Sequence, residues 1–217
     1  MIYVFAGGKI EDELIEELKI LTHDTVIAAD GGVNILFKWN LLPHFLIGDL
    51  DSASSEAIEW CEENGVTIIK YPQKKDYIDL ELALMKAAEF DDKPIIVFGA
   101  WGDRPDQTMV SFRLLEKYQH ADIILRNLDW ESFLLKEPGT LESYPGQIWS
   151  FLCAGDKVEG LTLQGFEYEL SDYEMSHTET MTISNVALGK HVSVRFRSGK
   201  LFVFRQWRVH PSTKSIL

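Results

Sequence analysis

From Met1 to about Asn127, short β-branched apolar runs alternate with segments whose apolar side chains recur every three or four positions. This alternation predicts strands at residues 2–6, 25–29, 45–47, 66–71, 94–98 and 123–126. It predicts helices over 11–21, 34–39, from Ser54 or Ser55 to Gly65, over 80–90 and over 107–118. Strands and helices taken in turn imply an α/β domain with a mostly parallel sheet covered on both faces. After about Lys136 the pattern changes. Pro138-Gly139, Pro145-Gly146 and further glycines at 155, 160, 165, 189 and 199 punctuate short strand candidates at 148–152, 160–163, 191–196 and 201–204. A hairpin turn is expected at Ser198-Gly199. Residues 1–136 therefore read as the α/β domain, and residues 137–217 as an all-β sandwich or barrel.

Acidic residues recur just after the N-terminal strands. Leu46-Ile47-Gly48-Asp49-Leu50-Asp51-Ser52 ends an apolar run in two carboxylates one residue apart. Asp30 precedes Gly31-Gly32, Asp76 and Asp79 follow a third run, and Asp106 follows a fourth. Taken singly, each of these aspartates also reads as a turn or helix-cap residue. Taken together, they gather at the sheet edge where open α/β folds bind ligands. The Asp49/Asp51 pair is suited to holding Mg²⁺ against nucleotide phosphates.

Basic and glycine-rich groups accompany them. Gly7-Gly8 and Gly31-Gly32 either allow close backbone approach to a phosphate or make tight turns. Neither a Walker pattern nor G-x-G-x-x-G is present. Lys74 and Lys75 are placed to meet phosphate oxygens, and Arg104 offers a guanidinium fork for the same purpose. Asp106 would open the following helix, as cap or as ligand.

The formal net charge of −13 argues against broad binding to nucleic acid or anionic membrane. It suits a site that gathers a divalent metal or a cationic substrate. No apolar stretch approaches the roughly 18–20 residues of a membrane span, and the first residues read as a strand rather than a signal peptide. The two cysteines, Cys61 and Cys153, have no metal-ligand spacing and fit a reduced cytoplasmic protein.

Four segments then fall into a recognisable order: Ala29-Asp30-Gly31-Gly32, Gly48-Asp49-Leu50-Asp51-Ser52, Lys75-Asp76-x-x-Asp79-Leu80-Glu81 and Gly99-x-x-Gly102-x-Arg104-x-Asp106-Gln107. The set, with its spacings, resembles the thiamine pyrophosphokinases. Gly160-Leu161-Thr162, Gly165-x-x-Tyr168-x-Leu170 and Ser184-Asn185 are similar to that family's β-domain signatures. The resemblance implies Mg²⁺-dependent transfer of a pyrophosphoryl group from ATP to the hydroxyl of thiamine, giving thiamine diphosphate and AMP. It implies a homodimer with thiamine near the junction of two subunits. Carried over, Asp49, Asp51 and Asp79 are the main Mg²⁺ ligands, with Asp30 and Gly31 close by. Lys75, with Asp76 beside it, and Arg104 face ATP phosphates. Asp106 and Gln107 help hold the substrates, and Ser184 and Asn185 lie at the thiamine pocket. The pattern departs from the family at Ile78, usually Thr, and at Asp103, often Gly. Gln107 stands where many bacterial members have His.

Two other readings compete. A DxD-type nucleotide-sugar transferase would use Asp49 and Asp51 but leaves the lysine and arginine motifs unexplained. A non-catalytic descendant would be marked by Ile78 and Asp103. Trp101, Trp130, Trp149 and Trp207 are candidates to stack on thiamine, or core residues. Val192, Val194, Phe202 and Phe204 are expected to present apolar strand faces that a second copy would cover.

Overall fold

The computed structural model describes residues 1–90, 94–102 and 104–208. The chain divides into two compact units, Met1–Leu128 and Asp129–Leu217. This division falls ahead of Lys136, because the residues just after it already belong to a strand of the second unit.

The first unit contains β1 (Ile2–Phe5), α1 (Leu14–Glu17), β2 (Thr25–Ala29), α2 (Gly32–Lys38), β3 (Phe45–Gly48), α3 (Ser55–Glu63), β4 (Thr67–Lys70), α4 (Asp79–Ala87), β5 (Ile95–Phe98), α5 (Pro105–Lys117) and β6 (Ile123–Arg126). Its strands run β4-β3-β2-β1-β5-β6, every neighbouring pair parallel. β1, β2 and β5 are buried along their whole length, as continuous apolar strands in a covered parallel sheet must be. The order reverses between β1 and β5, and the crevice beyond the carboxyl ends of such strands is where this topology binds ligands. Gly32 is required by that packing: a Cβ there would run into the Phe5 carbonyl of β1.

Helix boundaries follow local chemistry. Ser54 caps α3, its Oγ accepting from the Ala57 amide at 3.2 Å, and Pro105 starts α5 with its fixed φ. The expected helix over 11–21 shrinks to one turn, with Leu18 already extended. Glu16 and Glu17 fall at its carboxyl end, where the helix dipole opposes them, and so short a segment is marginal by itself.

The second unit is antiparallel. It contains β7 (Trp130–Leu135), β8 (Gly139–Glu142), β9 (Ile148–Gln164), β10 (Leu170–Ser176), β11 (Asn185–Val186), β12 (His191–Arg195) and β13 (Ser198–Gln206). Its strands run β7-β13-β9-β12-β8, with β10 and β11 also paired to β9. The two strands expected at 148–152 and 160–163 are one strand, β9. Its first part pairs with β13 and its second part with β10 and β12. The bend between them passes through Gly155 and Gly160, at φ 86° and 70°. Both parts of the strand contribute to one core: Trp149 and Phe151 from the first, Val158, Leu161 and Leu163 from the second.

Two expectations are corrected here. Ser198-Gly199 is not a hairpin turn, because β12 and β13 do not pair with each other. Ser198 begins β13 opposite Glu159 of β9. Val192 and Val194 are not apolar faces awaiting a partner, since both are buried in the unit's own core with Leu201 and Val203.

Candidate active site

The carboxyl ends of β1, β2, β3 and β5 open into a cavity of about 640 Å³, within the usual range for a small-ligand site. β2 leads into Asp30 and β3 into Asp49, while Asp79 is the first residue of α4. Carboxylate oxygens of Asp30, Asp49 and Asp79 all lie within 4.8 Å of one another. Three hard oxygen donors at that spacing fit a shared Mg²⁺ or similar cation. Gly48, at φ 151°, makes this approach possible. A Cβ there would stand 2.9 Å from both Asp30 Cβ and Asp79 Oδ1.

The cluster is held by specific contacts. Lys75 Nζ donates to Asp49 Oδ2 at 2.7 Å and pairs with Asp79 Oδ1 at 3.1 Å. Its side chain is only 11% exposed. Burial pulls the Lys75 ammonium down, yet its hydrogen bonds to Asp49 and Asp79 hold it above the ordinary lysine value. The same bond from Lys75 depresses Asp49. Burial pushes the Asp30 carboxyl up, against hydrogen bonds from Ser52 and with the nearby Asp79 adding to the rise. Asp30 and Leu50 both sit at positive φ, 45° and 66°, conformations rare for residues with a Cβ. Asn34 fixes the intervening loop, donating to the Ser52 carbonyl at 2.9 Å and accepting from the Ser54 amide at 2.8 Å.

Asp51 lines the same cavity but lies outside the three-carboxylate group. Its Oδ1 accepts from Ser52 Oγ at 3.1 Å. Arg104 and Gln107 line the cavity; Asp76, Asp106 and Gly31 do not. Arg104 grips Asp106 through two bonds, Nε at 2.9 Å and Nη2 at 2.6 Å. That grip holds Asp106 down to a pKa of about 2. Gly31 packs against the Ser52 side chain, where a Cβ would be 3.1 Å from Ser52 Cβ. Ile78 lines the cavity and is the N-cap of α4, with no side-chain capping bond. Asp103 lies outside the described residues.

Lys9, Thr108 and Ser111 also line the cavity and were not anticipated from the sequence. Positions 104, 107, 108 and 111 are a polar stripe at helical spacing, a signal that was available. Ser111 Oγ donates to the Ala100 carbonyl at 2.9 Å, tying α5 to the loop after β5.

In the second unit, Ser184 is exposed at φ 59° and donates its amide to Ser150 Oγ at 2.9 Å. Asn185 is buried, and its side chain fixes the backbone of Tyr168. Nδ2 donates to the Tyr168 carbonyl at 2.8 Å, and Oδ1 accepts from the Tyr168 amide at 3.1 Å. Trp149 is fully buried, with Nε1 donating to Gln147 Oε1 at 2.9 Å, so it is a core residue. Trp101 lines the cavity of the first unit.

Known proteins carry the same organisation. Residues 18–126 match the family described as thiamin pyrophosphokinase, catalytic domain. Residues 140–201 match the one described as thiamin pyrophosphokinase, vitamin B1 binding domain. A thiamine pyrophosphokinase of Bacillus subtilis is 29% identical over 210 residues, covering 94% of this chain and 97% of that protein. Among solved structures, Bacillus subtilis thiamine pyrophosphokinase superposes with a TM-score of 0.84 at 25% identity, over 96% of this chain and 99% of the other. The thiamin pyrophosphokinase of Candida albicans gives 0.79 at 18% identity, over 94% and 88%, a likeness of fold. With the catalytic-domain match alone spanning half the chain and containing Asp30, Asp49 and Asp79, this chain is an enzyme of the thiamin pyrophosphokinase family.

Proposed function

We propose that the protein transfers a pyrophosphoryl group from ATP to the hydroxyl of thiamine, giving thiamine diphosphate and AMP, with Mg²⁺ required. The observation that carries this reading is the convergence of Asp30, Asp49 and Asp79 in one cavity at the sheet's switch point. A divalent ion held there would neutralise the triphosphate during transfer. Asp49 and Asp79, with Asp30, are the residues to hold it, and Asp51 borders the same space. Phosphoryl transfer asks little covalent chemistry of a protein beyond placing the reactants and balancing charge. Lys9, Lys75 and Arg104 supply positive charge toward the phosphates. Asp106 is held down by the Arg104 guanidinium that grips it and carries a negative charge at neutral pH. Its role is to orient Arg104.

For the second unit we propose thiamine binding and dimerisation. Ser184 is placed to touch ligand, whereas Asn185 holds the Tyr168 loop in place. Tyr168, Met181, Ile183 and Leu188 are large apolar side chains left exposed in this segment, as an interface requires, and a two-fold dimer is the commonest solution. No helix among the described residues is long and apolar enough to cross a membrane. Both described cysteines are free thiols, which supports a cytoplasmic location.

The test is AMP release from ATP with and without thiamine. Wild type should release AMP only with thiamine and Mg²⁺ together. Asp49→Asn and Asp79→Asn should each lower turnover by about 100-fold or more with unchanged circular dichroism. Wild-type turnover in both variants at saturating Mg²⁺ would refute the assignment.

A further inference from the structure

Lys75 is expected to face phosphate, yet its ammonium lies among the carboxylates. It stands 2.7 Å from Asp49 Oδ2 and 3.1 Å from Asp79 Oδ1, the same two residues whose oxygens converge with those of Asp30. An ammonium and a divalent cation cannot both occupy that space. Two cations at hydrogen-bond distance repel strongly where water is scarce, and each oxygen lone pair serves one of them. Without a cation, three carboxylates this close would repel one another. Lys75 lies in the connection before α4, three residues ahead of the helix cap. Its four-carbon stem can carry the charge several ångströms without backbone motion, and Lys75 lines the open cavity itself.

We infer that Lys75 is the built-in counter-ion of the carboxylate cluster, and that a divalent cation enters by displacing its ammonium toward the bound phosphates. Metal binding and phosphate capture are then one exchange. Asp49 and Asp79 would pass from the ammonium to the ion, and the freed Lys75 would gain the phosphate oxygens as new partners. The enzyme binds metal alone weakly and metal with nucleotide strongly, because only the pair satisfies every charge. This inference rests on reading the cluster as the metal site, and goes beyond it by giving Lys75 a role in setting metal affinity.

The experiment measures binding of Mn²⁺ alone, as a paramagnetic probe, to the metal-stripped full-length protein without nucleotide or thiamine. Lys75→Met should bind Mn²⁺ about tenfold more tightly than wild type, within the usual range of coupling between sites. Lys75→Arg, which keeps a cation on the cluster, should not. Wild-type or weaker Mn²⁺ affinity in Lys75→Met overturns the inference. If Lys75→Met does not fold, the wild type decides. With its lysines carrying ¹³C-methyl labels, Mg²⁺ alone must shift the resonance that Lys75→Arg removes, and an unmoved resonance at Mg²⁺ saturation overturns the exchange. Mn²⁺ binding by wild type without the tightening rejects the exchange and leaves the metal site standing, while no Mn²⁺ binding by either wild type or Lys75→Met rejects both.

Discussion

Asp30 combines burial, a positive φ and a carboxylate neighbour, and burial and the neighbour both work against its charged form. Its folded pKa is raised, so the native state keeps this proton to higher pH than the unfolded chain does. Its contribution therefore turns unfavourable as pH rises through the ordinary carboxylate range toward the raised value, and stays so above it. Asp30→Asn keeps the shape, removes the charge and tolerates the backbone. It should raise Tm by roughly 1–3 °C at pH 7, an advantage that fades toward pH 3, and should weaken Mn²⁺ binding. A lower Tm at pH 7 would contradict this account. Gly48→Ala should do the opposite, forcing Asp30 and Asp79 apart and costing about 1–3 kcal/mol, read by denaturant unfolding. At this scale the sequence showed which residue types gather, but not their membership. Asp49 and Asp51 look equivalent in a two-residue repeat, yet β3 has already ended at Gly48 and Leu50, at φ 66°, turns the chain between them. The third carboxylate at the cluster is Asp30, from just past the end of the preceding strand.

α4 is preceded by an apolar N-cap, Ile78. Ile78 was legible as a departure from the family pattern, and the structure gives it a cost, since Ile as N-cap leaves orphan amides of the first turn to other partners. Ile78→Thr should stabilise the protein by about 1 kcal/mol in chemical denaturation and, by steadying Asp79, tighten metal binding. An unchanged unfolding midpoint would show that the cap site is already satisfied. In the second unit, Asn185→Ala strips the Tyr168 backbone of two bonds in a buried place, with an expected loss of about 1–3 kcal/mol. Ser184→Ala should leave stability near wild type and raise the KM for thiamine, so thermal and kinetic measurements on the two variants should separate the roles. The parallel strands of the first unit were readable because each is a dense apolar run between turn signals. β7, β8, β10 and β11 were not. Short antiparallel strands of mixed polarity acquire their identity from the partner across the ladder, and β9 concealed its length because its bend carries the glycines that punctuate a sequence.

For the molecule as a whole, the α/β-then-β order and the family resemblance followed from motifs spread along nearly the full length of the chain. The apolar surface offered for pairing did not, since it depends on which apolar residues the fold leaves uncovered. The structure buries Val192 and Val194 and exposes Tyr168, Met181, Ile183 and Leu188 instead. Sedimentation should show a dimer that Leu188→Glu converts to monomer, with thiamine shifting wild type further toward dimer. A wild type that sediments as a monomer at micromolar concentration would refute this interface.

β9 has a consequence for how the protein is made. It pairs with β13, which also supplies the partner for β7, some seventy residues earlier. Until Ser198–Gln206 has been synthesised, the middle of the second unit is a set of open apolar ladders. The first unit also joins distant segments, Ile2 of β1 lying opposite Ile95 of β5, but all its strands emerge before the second unit begins, whereas the second must wait for β13. Pairing across such separations is slow and leaves sticky edges exposed meanwhile. A ribosome stalled before residue 198 would thus display a finished catalytic unit trailing an adhesive, chaperone-seeking half.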